Sequence, residues 1–146
     1  LVKTGMTALF ASPAVTAEQR ASATSVLSSV GESLWVDTEA ELDIVTAVSG
    51  SGPAYFFLMM ESLINAGVAE GLSTEISTQL VLQTALGAAV MAKQSESDAG
   101  TLRKQVTSPG GTTQAAIEHF QSVKFEKAVG DAVNAARTRS VELSKN

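Results

Sequence analysis

The stretch Pro53-Ala54-Tyr55-Phe56-Phe57-Leu58-Met59-Met60-Glu61-Ser62-Leu63-Ile64-Asn65-Ala66-Gly67-Val68-Ala69-Glu70-Gly71 decides the architecture. Pro53 suits the first turn of a helix, and Tyr55, Phe56, Phe57, Leu58, Met59, Met60, Leu63, Ile64 and Val68 put apolar side chains on nearly every face of it. A helix of that kind has to be surrounded by protein or by lipid. Glu61 and Asn65 interrupt it and small residues flank it, which favours protein and places it at the centre of a bundle. The few other helices of one chain cannot cover it, so the expectation is an intertwined homodimer with an interface above about 2,000 Å² and no stable monomer.

On the N-terminal side, Ser49-Gly50-Ser51-Gly52 reads as an interruption between this helix and an earlier one that ends near Val48, with Ser51 as the cap. The earlier helix carries Leu42 and Val45, and Thr38 with Glu41 has the form of a capping box at its start. The glycines of the interruption lack the Gly-x-Gly-x-x-Gly spacing and a preceding strand, so they carry no dinucleotide motif. Further upstream, Thr7–Ala11 reads as a short strand and Thr16 with Gln19 as another capping box. Ala23, Val26, Leu27 and Val30 give that helix its face, Gly31 stands where a C′ glycine would end it, and Leu34–Val36 is a second strand with Trp35 packed on it. A strand-helix-strand unit with two strands cannot bury both faces of a sheet, so residues 1–36 are expected to be the remnant of a larger α/β domain. The initial Leu1 fits the same expectation of a longer polypeptide.

On the C-terminal side the pattern stays helical. Ser73 caps a helix running to about Ser95, with Glu75 in its first turn, Leu80, Leu86, Val90 and Met91 facing inward, and Gly87-Ala88-Ala89 permitting close approach of a neighbour. Asp98 starts a short helix that stops before Ser108. Further helices span about Thr112–Gln121 and Lys124–Ser144, the last with Phe125, Ala128, Val129, Ala132, Val133 and Ala136 on one side and Arg137, Arg139 and Glu142 on the other. Residues 37–146 thus form a helical domain.

Composition narrows the function. The 146 residues are 45% hydrophobic and 17% charged with a formal net charge of −5, which argues against a nucleic-acid face or a polybasic membrane patch. With no cysteine and one histidine, a disulfide framework and a thiolate or imidazole metal site are not expected. No apolar run approaches the roughly 18 to 20 residues of a membrane span, and a cytoplasmic location is the default expectation. There is no HExxH, no Ser-His-Asp order and no matched pair of carboxylates. His119 and Tyr55 read as structural residues, and Arg137 with Arg139 as a solvated or intersubunit face.

One turn stands out. In Gln105-Val106-Thr107-Ser108-Pro109-Gly110-Gly111-Thr112-Thr113-Gln114, Pro109 stops the preceding helix, the two glycines free the backbone, and the threonines stand at the start of the next helix. The N–H groups and dipole of that helix end would favour a carboxylate or phosphate, although the same composition also makes an ordinary interhelical turn.

The run Ala99-x-x-Leu102-x-x-x-Val106-Thr107-Ser108-x-Gly110-Gly111-x-Thr113-x-x-Ala116-Ile117-x-x-Phe120-Gln121 resembles the signature of pyrroline-5-carboxylate reductases. Ser49-Gly50-Ser51-Gly52-Pro53-Ala54-Tyr55 and Ala135-Ala136-Arg137-x-Arg139-Ser140-x-Glu142-Leu143 extend the resemblance over essentially the whole chain. Ala99 departs from the proline common there. The resemblance implies a mainly α fold: an intertwined dimerisation bundle like the C-terminal domain of 6-phosphogluconate dehydrogenase, after the β-α-β remnant of a Rossmann domain. It implies reduction of the C=N bond of Δ1-pyrroline-5-carboxylate to L-proline by NADPH or NADH, bound mainly by a domain upstream. It further implies that the substrate carboxylate is held by Ser108, Gly110, Gly111, Thr112 and Thr113. Backbone donors would be Gly111, Thr112 and Thr113, with a Ser108 hydroxyl contact and the Thr113 hydroxyl, the catalytic candidate, near the ring nitrogen. The alternative is a helical oligomerisation module without catalysis. A 2-hydroxy-acid dehydrogenase of the same plan is weaker, since Lys93 and Lys104 lack the matching context.

Overall fold

The computed structural model describes residues 4–145. The chain runs β1 (Gly5–Leu9), α1 (Ala17–Leu27), β2 (Gly31–Trp35), α2 (Glu41–Val45), a π-helical turn (Thr46–Gly50), α3 (Gly52–Ala69), α4 (Thr74–Gln94), α5 (Ala99–Gln105), α6 (Thr112–Ser122) and α7 (Phe125–Leu143). It is a mainly α fold with one small parallel sheet. It packs as two compact units, one made of the residues up to Pro53 together with those from Gly130 onward, the other of Ala54–Val129.

In the first unit β1 and β2 pair in parallel, Gly5 opposite Gly31 through Leu9 opposite Trp35. Both strands therefore start earlier than the sequence suggested. Gly31 is the reason: a Cβ there would collide with the Gly5 backbone, so this glycine opens β2 at the close approach of two strands and is not a helix C′ residue. α1 ends instead at Leu27, with Ser28 still right-handed at φ −65°. Its start is as expected, the Thr16 hydroxyl accepting from the Gln19 N–H while the Gln19 side-chain Oε1 accepts from the Thr16 N–H. Trp35 Nε1 donates to the Thr24 hydroxyl at 3.0 Å and its ring lies 4.9 Å beneath the Arg20 guanidinium, which ties β2 to α1. The other sheet face is open: Met6 and Leu34 are exposed.

The start of α2 differs from a capping box. Glu41 accepts from the Asp37 and Thr38 N–H groups at 2.8 Å each, but no side chain caps the helix in return. The Thr38 N–H contributes most to lowering the Glu41 carboxyl below its ordinary range; partial desolvation opposes it. At the far end Ser140 Oγ donates to Asp43 at 2.6 Å, joining α7 to α2 within this unit.

Ser49–Gly52 does not break the helix. Pro53 has no N–H for the ladder and would crowd the carbonyl four residues back, yet widening one turn to a π-helix, with the Ser51 N–H on the Thr46 carbonyl at 2.8 Å, absorbs the mismatch. Ser51 is right-handed, at φ −83° and ψ −18°, where an N-cap residue would be extended. The consequence is a continuous 29-residue helix, Glu41–Ala69, long and apolar enough by length and composition to cross a membrane. The expectation that no segment reaches that length is corrected on this point.

In the second unit α3 ends in a Schellman motif. Gly71 takes φ 105°, its N–H bonds the Val68 carbonyl and the Leu72 N–H the Gly67 carbonyl, both at 3.0 Å. Ser73 then caps α4, accepting from the Ile76 N–H. At this corner Ser77, 1% exposed, donates to the Ile64 carbonyl at 2.9 Å, and Gly67 leaves room for its hydroxyl. Gly87, where close approach was expected, faces open space within the chain. Asp98 caps α5 through the Thr101 N–H at 2.8 Å. α6 and α7 meet at Lys124, a non-glycine residue at φ 59°, where the rings of Phe120 and Phe125 lie 5.3 Å apart.

Among the described residues no large apolar side chain is fully buried, and many are exposed. Phe56, Phe57 and Leu58 on α3 are 69%, 65% and 64% exposed, and Leu80, Leu86, Val90 and Met91, expected to face inward, are also exposed. Among the described residues, the buried apolar positions are held by Ala11 and Ala47. Patches of this extent mark an interaction surface.

Candidate anion-binding site

The site is built on the link between α5 and α6. Pro109 and Gly110 are the central residues of a tight turn: the Gly111 N–H donates to the Ser108 carbonyl at 3.0 Å and Gly110 takes φ 72°. Proline second and a left-handed glycine third is the type II pattern. Upstream, the Thr107 hydroxyl donates to the Arg103 carbonyl at 2.6 Å and closes the end of α5.

Gly111, extended at φ −85° and ψ 171°, is the N-cap of α6, and no side chain caps that helix. Its carbonyl receives the Ala115 N–H at 3.2 Å. The N–H groups of Thr112, Thr113 and Gln114 precede the first intrahelical donor and so form the open helix end. With the helix dipole they present positive potential to an anion.

The structure redistributes the donors read from the sequence. The Gly111 N–H is used inside the turn by the Ser108 carbonyl, and the Gly110 N–H is taken by Gln114 Oε1 at 2.7 Å. The open donors therefore begin at Thr112, and they include Gln114 where the sequence suggested Gly111. The left-handed glycine is Gly110, while Gly111 has ordinary extended geometry. Ser108, Thr112 and Thr113 are exposed around the same turn.

Sequence inspection missed Gln114 and Glu118. Gln114 Nε2 donates to Glu118 Oε1 at 2.6 Å, so two polar residues four apart on α6 form a chain ending on the Gly110 N–H. The i, i+4 spacing was a usable signal. His119 sits on the same helix, outside this hydrogen-bonded chain.

A nicotinamide dinucleotide would need a glycine-rich strand-to-helix turn for its pyrophosphate. The link from β1 to α1, residues 10–16, contains no glycine, so this strand-helix turn does not fit that group.

Residues 39–143 match the family model described as pyrroline-5-carboxylate reductase dimerisation. The chain is 53% identical to the pyrroline-5-carboxylate reductase of Pseudomonas aeruginosa over 145 residues, covering 99% of this chain and 53% of that protein. Identity to the Mycobacterium tuberculosis reductase is 44% over 160 residues, with 98% and 54% covered. Among solved structures, a pyrroline-5-carboxylate reductase from Coxiella burnetii superposes with a TM-score of 0.93 at 43% identity, over 97% of this chain and 53% of that one. The Plasmodium falciparum pyrroline carboxylate reductase with NADP bound gives 0.82 at 36%, over 91% and 51%. The chain thus spans about half the length of the relatives it matches. By the dimerisation match and these identities, the chain belongs to the pyrroline-5-carboxylate reductase family.

Proposed function

We propose that this chain is the substrate-binding and dimerisation portion of an oxidoreductase that reduces Δ1-pyrroline-5-carboxylate to L-proline. The observation that carries the reading is the open N-terminus of α6 behind the Ser108–Gly111 turn, in a chain of this family. The substrate carboxylate docks on the Thr112, Thr113 and Gln114 N–H groups, the Ser108 hydroxyl adds a contact, and the Thr113 hydroxyl lies near the ring nitrogen. NADPH or NADH supplies the hydride when bound. The helical residues hold the imine carbon in place and neutralise the carboxylate, which is positioning more than side-chain chemistry.

Functionally the chain divides into residues 1–36, the end of a nucleotide-binding domain, and residues 37–146; the family match beginning at 39 supports this. The uncovered α3 and α4 faces are occupied by a second copy, and each active site draws on both subunits. Glu61 in the 29-residue helix supports protein over lipid as its cover. The chain alone does not turn over substrate.

The test is Thr113→Ala in the enzyme that contains this chain with its nucleotide-binding part. We expect a loss of about 1 to 3 kcal/mol in transition-state binding, read from kcat/KM, because one hydroxyl goes and the backbone donors stay. Gly111→Val should nearly abolish activity with assembly intact, since a Cβ at Gly111 already lies 3.1 Å from the Ser108 carbonyl oxygen. Unchanged efficiency in both variants would reduce the turn to a structural link, as in the oligomerisation-module alternative.

A further inference from the structure

We infer that Gln114, oriented by Glu118, is a positioning residue that latches the Pro109–Gly110 peptide and so keeps the N-terminus of α6 open to the substrate carboxylate. The inference rests on the proposed docking of that carboxylate at Thr112–Gln114.

The central peptide of a tight turn can rotate between the type II and type I arrangements, exchanging the directions of its C=O and N–H, and a proline in the second position is compatible with both. Here the central peptide joins Pro109 to Gly110, and glycine offers little resistance, being free to adopt either sign of φ. Rotation would swing the Pro109 carbonyl toward the side now held by the Gly110 N–H. That side faces Gln114, in the first turn of α6. A carbonyl oxygen there would compete for the open helix donors and cap α6 from within its own loop, in place of the substrate anion.

The latch opposes this. Gln114 Oε1 accepts the Gly110 N–H at 2.7 Å, a bond that exists only in the observed orientation of the peptide. A glutamine amide could turn over and present its NH₂ group to the loop, which would instead favour a carbonyl. Glu118 Oε1 prevents that by accepting from Gln114 Nε2 at 2.6 Å. A carboxylate only accepts, so the chain Gly110 N–H to Gln114 to Glu118 has one consistent polarity. Glu118 acts through Gln114 and touches nothing at the site itself.

The experiment uses the complete enzyme with pyrroline-5-carboxylate. Gln114→Leu keeps the bulk and removes the acceptor; we expect KM to rise roughly 5- to 30-fold with kcat within about 2-fold, the span of one lost polar contact. Glu118→Gln can donate as well as accept and no longer fixes the Gln114 amide, so it should raise KM, as should Glu118→Ala, each by a smaller factor than Gln114→Leu. Hydrogen exchange supplies the readout a merely structural role would not move: the Gly110 amide should exchange faster in Gln114→Leu while amides in the middle of α6 keep their protection. Thr113→Ala, made in parallel, separates two failures. If it impairs the enzyme and Gln114→Leu leaves KM and Gly110 exchange unchanged, the latch is wrong and the docking site stands. If neither variant changes the kinetics, the docking site falls and the latch with it.

Discussion

Gly110 and Lys124 both hold a left-handed backbone, at φ 72° and φ 59°, and only one is a glycine. Gly110 suffers no Cβ penalty at the turn. Lys124 does, and it is tolerated because one left-handed residue lets α7 begin immediately after α6 and brings Phe120 against Phe125. Lys124→Gly should therefore stabilise the folded protein by about 0.5 to 1 kcal/mol, the relief of strain exceeding the added freedom of the unfolded chain. Urea denaturation at equilibrium checks it, and a destabilised variant would mean that the lysine side chain holds the corner. The turn motif was legible in the order Ser-Pro-Gly-Gly-Thr-Thr, but which glycine bends left and which N–H remains open was not. Those depend on the Gly111 and Gly110 N–H groups donating to the Ser108 carbonyl and to Gln114 Oε1, which spacing alone does not assign.

The corner between α3 and α4 depends on a small residue facing a small polar one. Ser77 reaches the Ile64 carbonyl because Gly67 has no side chain in the way. Ser77→Ala should cost about 1 kcal/mol, a buried hydrogen bond lost. Gly67→Ala should cost about 1 to 3 kcal/mol by overpacking against the hydroxyl. The double variant should cost less than the sum, since removing the hydroxyl makes room for the new methyl, and strict additivity in a double-mutant cycle would contradict this geometry. A different element, α5, should respond to acid. The Thr101 N–H, then its hydroxyl, hold the Asp98 carboxyl below its ordinary range. A carboxyl depressed in the folded state stabilises above its unfolded pKa, and that contribution is lost as pH falls through the folded value. An NMR titration of the Asp98 carboxyl should show the depressed midpoint, and Asp98→Asn, still a competent cap, should remove the acid response of α5.

Over the whole molecule the apolar surface has nowhere to go within one chain. The exposed phenylalanines and leucines of α3, with the apolar face of α4, would leave a solvated monomer with large uncovered patches. Light scattering at micromolar concentration should find a dimer, and dissociation should accompany unfolding. A folded, monodisperse monomer would overturn the proposed assembly. A dimer in water without detergent would also answer the question raised by the 29-residue apolar helix, whose cover would then be protein.

What the sequence determined by itself is what local chemistry controls. The Thr16–Gln19 capping box, the Ser73 and Asp98 caps, the helical run after Pro53 and the order of elements follow from side chains acting on backbone a few residues away. The family signature was legible for a similar reason: it lies in contiguous motifs. Only the tertiary structure decided that Gly31 opens a strand, because that requires the Gly5 backbone across the sheet. It likewise decided that Ser49–Gly52 continues as a π turn into Pro53, where the sequence pattern reads as a break. A glycine-serine run is compatible with either outcome, and which one forms depends on whether the ladder can widen by one residue around a proline that has no N–H to give.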